Sequence, residues 1–112
     1  MAIPHAQPGQ PLSIHPAAGT PAPQQTTTLI KTDVLEVLRV VMSKGKQLTR
    51  HKVPGEIMLQ CLSGSATLYF GERECELSPG ILTYLSGGQE HSLTANTDSA
   101  LLLTIVLGRP TE

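Results

Sequence analysis

Tryptophan is absent from this 112-residue chain, and its aromatic residues number only three: Tyr69, Phe70 and Tyr84. A core without aromatic bulk must be filled by Leu, Ile and Val, and no row of rings is available on which nucleobases could stack. An excess of one charge is missing too: eight basic and nine acidic residues leave a formal net charge of -1. That balance excludes binding of nucleic acid or of an anionic membrane through bulk charge. Cysteine is scarce. Cys61 and Cys75 form no CxxC pair, which predicts two free thiols rather than a disulfide or a zinc site. No apolar run approaches the roughly 20 residues of a membrane span. The first residues carry neither a basic nor an apolar leader region, so the expected setting is the cytoplasm.

What is present is unevenly distributed. Residues 1–25 hold six of the nine prolines, with Ala, Gln and Gly between them. Such a segment forms neither helix nor central strand and is expected as an extended arm, with Ile3, Leu12 and Ile14 as its apolar anchors. His5 and His15 within it are read as solvated. Residues 26–109 are expected to form one domain of roughly 85 residues, enough for a single barrel or sandwich core. Residues 110–112 are a tail.

From Thr26 onward the chain reads as short strands with turn signals every eight to twelve residues, the rhythm of an all-β sandwich or barrel. One segment is in conflict. In TDVLEVLRVVMSKG, Asp33 with Glu36 resembles a capping box, and Val34, Leu35, Leu38, Val41 and Met42 share a helical face. The four valines and the two apolar faces fit a buried strand equally well, and the strand is the expectation adopted because of the family resemblance given below. Further on, Ser78-Pro79-Gly80-Ile81 predicts a type II turn. Glu72, Glu74 and Glu76 predict a solvated strand face, and the run Leu101 to Leu107 predicts a strand buried on both faces.

The stretch Gly45 to Gly64, GKQLTRHKVPGEIMLQCLSG, carries the polar chemistry. Side chains alternate along a strand, so Glu56, Met58 and Gln60 share a face, while His51 has the opposite parity. A turn or bulge at Pro54-Gly55 would shift the register and aim His51 and Glu56 into the same interior. An imidazole and a carboxylate there need a partner, a ligand, a metal or water. Met58 and Gln60 would follow Glu56 along the pocket. Tyr69 and Tyr84 are candidate proton donors, and Lys44, Lys46, Arg50 and Lys52 are candidates for drawing an anion to the mouth.

Gly45, five residues, His51, Glu56 and Gly64 resemble the first cupin motif, and Pro79-Gly80 followed by Gly88-x-x-His91 resembles the second. The resemblance covers roughly residues 30 to 107 and implies a small double-stranded β-helix (jelly-roll) barrel of the RmlC-like cupin type, commonly a homodimer. It further implies His51, Glu56 and His91 as ligands of a divalent transition metal, zinc, iron, manganese or nickel. Val53 stands where the pattern has its second His, and Ala95 where it ends in Asn, which removes one nitrogen donor. Three readings stay open: a facial triad of His51, Glu56 and His91, an organic-ligand cavity lined by His51, Glu56, Met58, Gln60 and His91, or core histidines satisfied by hydrogen bonds.

The leading functional expectation is a small-molecule-binding barrel. The alternative is an enzyme, either a metal-dependent oxygenase or isomerase, or a metal-free epimerase or isomerase with a His base. A third possibility is an assembly or regulatory module whose arm docks on a partner.

Overall fold

The computed structural model describes residues 5–15, 25–51 and 54–107, and for residues 49–51 the backbone alone. Among the described residues there is no helix, and nine strands are formed: β1 (Thr27–Lys31), β2 (Leu35–Met42), β3 (Gln47–His51), β4 (Ile57–Ser63), β5 (Ala66–Phe70), β6 (Arg73–Leu77), β7 (Leu82–Leu85), β8 (His91–Ala95) and β9 (Ser99–Val106). They pair antiparallel into two sheets, in the orders β1-β2-β9-β4-β7 and β3-β8-β5-β6. The inner faces close on one core, giving an all-β barrel of the kind the rhythm of the sequence predicted, in the jelly-roll form that the cupin resemblance implied.

The contested segment is strand β2. It pairs along its whole length with β9, from Leu35 opposite Val106 to Met42 opposite Ser99, and on its other edge with β1. Two ladders satisfy its backbone while Val40 and Met42 enter the core, and that burial outweighs the helical pattern. Thr32, not Asp33, organises the entry to the strand. Its Oγ1 accepts the N–H groups of Val34 and Leu35 at 3.1 and 3.0 Å.

The turns follow the sequence. Ile81 N–H donates to the Ser78 carbonyl at 2.9 Å, closing the Pro79-Gly80 turn, and Lys46 N–H donates to the Ser43 carbonyl at 2.9 Å. Glu72, Glu74 and Glu76 are exposed, as a solvated face requires. Met42, Leu59, Leu68, Leu77 and Leu101 are the large side chains most completely enclosed, so aliphatic residues do supply the core. Phe70 packs at its margin, with the Arg73 guanidinium 5.6 Å from its ring centre. Both cysteines are free thiols, Cys61 buried and Cys75 half-buried. The Ala6 N–H donates to the Leu29 carbonyl at 3.0 Å, tying the start of the arm to β1.

Candidate functional site

Leu93 and Ala95 of β8 are buried, and the alternation of the strand puts His91 on the same inner side. There it borders a cavity of about 80 Å³ between the sheets. The other walls are Leu48, Ile57, Leu59, Leu93, Leu103 and Ile105, so His91 is the one polar lining residue among the described residues. Its Nδ1 lies 3.2 Å from the Gln89 carbonyl oxygen. A carbonyl only accepts, so Nδ1 carries a proton and the ring is oriented with Nε2 as the acceptor of the neutral form.

His51 is the backbone partner of His91 across β3 and β8. Leu48 pairs with Leu93, so three steps along β3 match two along β8: one extra residue is inserted between them. That bulge lies before His51, not at Pro54-Gly55, where the sequence placed the shift between His51 and Glu56. The side chain of His51 and all of Val53 lie outside the described residues, as do Lys52 and the side chain of Arg50.

The shared interior for His51 and Glu56 is corrected by β4. Ile57, Leu59 and Cys61 point inward, at most 3% exposed, whereas Met58 is 45% exposed and shares the outer face with Gln60. Glu56 and Met58 border a different hollow of about 330 Å³ outside the five-stranded sheet, together with Tyr84, Thr104 and Val106. The physical reason is plain. Of the two parities of this strand, Ile-Leu-Cys is the more apolar, and the core took it. Alternation divides the strand into these two sets without ranking them, and the motif pulled the expected acid inward.

Pro54-Gly55 has another role than a flip of the register. A Cβ on Gly55 would overlap the Val106 carbonyl oxygen and sit 2.8 Å from its carbonyl carbon. The loop is thereby held against the end of β9, where Val106 N–H donates to the Glu56 carbonyl at 2.9 Å. The chain after Gly55 thus leaves Glu56 on the outer side.

Tyr69 and Tyr84 also face outward and do not reach the cavity. Tyr69 instead borders a surface hollow of about 290 Å³ with Gly71, Gln89, Glu90, His91 and Ser92. Lys44 and Lys46 are exposed, as are His5 and His15. With Glu56 outside, no group of three or more His, Cys, Asp or Glu side chains converges among the described residues.

The model of the cupin domain matches residues 38–107, more than half of the chain. This chain belongs to the cupin family. Among solved structures, this cupin is similar to a conserved protein of unknown function from Streptococcus pyogenes, with a TM-score of 0.76 and 22% identity over 98% of this chain and 97% of that one. It is also similar to a cupin superfamily protein from Desulfitobacterium hafniense, with a TM-score of 0.77 and 15% identity over 96% and 99% of the two chains. KdgF from Halomonas gives a TM-score of 0.68 at 19% identity over 75% and 80%. At these identities the likeness is one of fold. No curated protein matches the chain.

Proposed function

We propose that this cupin binds a small molecule with a short hydrocarbon body and a single polar head, the body in the barrel cavity and the head on the His91 imidazole. The observation that supports this most is the composition of the cavity: six aliphatic walls and one oriented imidazole. An apolar pocket with one convergent polar group is the usual form of a small-ligand site. At about 80 Å³ the space is well below that of a drug-sized pocket and takes only a few carbon atoms. Three or four buried CH₂ groups at about 0.8 kcal/mol each, plus about 1 kcal/mol for a hydrogen bond, give a Kd on the order of 1 mM.

Titration with propionate, butyrate and valerate, and with the matching alcohols, would be followed by NMR shifts of the His91 ring and of the methyl groups of Leu59, Leu93 and Ile105. The expected result is saturable shifts at those groups that steepen with each added carbon until the cavity is full. His91→Ala should keep the barrel folded and lose the response. Shifts that are absent, or that fall on the outer face instead, would refute the site. A zinc titration that broadens His91 at micromolar metal would replace the organic ligand by a metal ion.

A further inference from the structure

Ala66 and Leu68 of β5 are fully buried, so Thr67 and Tyr69 stand on the outer face of the four-stranded sheet, away from the barrel cavity. Their two cross-strand rows use their polar groups differently. In the first, Thr67 lies opposite Glu76, and the groups are spent within the protein. Asn96 Nδ2 donates to Ser65 Oγ and to Thr67 Oγ1, each at 3.0 Å, and Ser65 Oγ donates to Glu76 Oε2 at 2.9 Å. In the second row Tyr69 lies between Glu74 and Ser92. The Tyr69 and Ser92 hydroxyls make no hydrogen bond among the described residues, and neither does the side-chain amide of Gln89 beside them.

These three groups border the surface hollow of about 290 Å³. Small-molecule sites start at roughly 300 Å³. The hollow rests on fixed elements. Tyr69 is held by ladders on both edges of β5. The Gln89 N–H donates to the Ser86 carbonyl at 3.3 Å, and the Gln89 carbonyl oxygen is the partner of His91 Nδ1, so the side chain is presented from a pinned backbone. Gly71 forms the third side in a turn with φ of +62°, and a Cβ there would meet nothing within 4 Å, which leaves the space above the turn open. His91 is the one described residue that this hollow and the barrel cavity have in common.

The lining narrows the ligand. Two hydroxyls and an amide each donate and accept, which suits a molecule whose own groups do both, as hydroxyls do. The Tyr69 ring, 40% exposed, offers an apolar plate to the C–H side of a saturated ring. Glu74 adjoins Tyr69, and no described lining residue is Lys or Arg, so an anion is disfavoured. We infer that this hollow binds a neutral cyclic polyol, such as a sugar ring, with Tyr69 against its C–H side and Gln89 and Ser92 on its hydroxyls.

Methyl glucoside, myo-inositol, cyclohexanol and glucuronate are titrated into the full chain, and NMR follows the Tyr69 ring and the Gln89 side-chain amide. Methyl glucoside and myo-inositol are expected to give saturable shifts at both groups. Cyclohexanol keeps a ring but loses the array of hydroxyls, and glucuronate adds a negative charge, so each should bind roughly tenfold more weakly. Tyr69→Ala should weaken methyl glucoside roughly tenfold and Gln89→Ala about fivefold, both with an unchanged urea midpoint. Tyr84→Ala, on the other sheet, should leave binding as it is. The absence of saturable shifts overturns the proposal, as does cyclohexanol or glucuronate binding as tightly as methyl glucoside. So does a response that survives Tyr69→Ala and Gln89→Ala, or one lost equally on Tyr84→Ala.

Discussion

Replacing Gly55 by alanine tests the close contact that fixes the end of the barrel beside the cavity. The added methyl would overlap the Val106 carbonyl oxygen and approach the Val106 Cβ to 3.1 Å. Most of what it meets is backbone, which cannot rotate aside. Relief therefore requires moving the loop off β9 and stretching the 2.9 Å bond from Val106 N–H to the Glu56 carbonyl. Overpacking of this kind costs about 1–3 kcal/mol, and a weakened hydrogen bond adds about 1 kcal/mol. The stiffer unfolded chain returns about 0.4–1 kcal/mol, for a net loss of about 2–3 kcal/mol. Gly45→Ala is the control, because a Cβ there meets nothing within 4 Å and the only penalty is its φ of +85°. Left-handed strain of about 1–2 kcal/mol, less the same entropic return, leaves a loss of about 1 kcal/mol or less. Equilibrium urea unfolding measures both. If Gly55→Ala proves no more destabilising than Gly45→Ala, the contact with Val106 is not as tight as described and the argument fails.

Leu101→Ala, at a fully buried position, should cost about 2–5 kcal/mol by urea unfolding, and a loss below 1 kcal/mol would mean the core is elsewhere. Burial pushes the Cys61 thiol above the ordinary range, so Cys61 should resist alkylation while the half-buried Cys75 reacts. The sign of the linkage follows from the raised value. Stability is intact below the ordinary thiol range of about 8.5, falls as pH rises through the folded value, and Cys61→Ala should flatten that alkaline decline. Equal labelling of both thiols in the folded protein would contradict this.

The sequence by itself determined the strands other than β2, the turn at Ser78–Ile81 and the solvated acidic row, because these depend on local periodicity and turn chemistry. It also pointed to His91, since a motif fixes a position along the chain. Only the tertiary structure decided which side of β4 faces inward. Alternation groups Glu56 with Met58 and Gln60 but does not say which group the core accepts, and burial of Ile57, Leu59 and Cys61 settled that competition. The conflict at β2 was resolved the same way, by ladders with β1 and β9 that lie far from local pattern. The bulge that sets His51 opposite His91 is likewise a property of two paired strands, and neither sequence segment carries it alone.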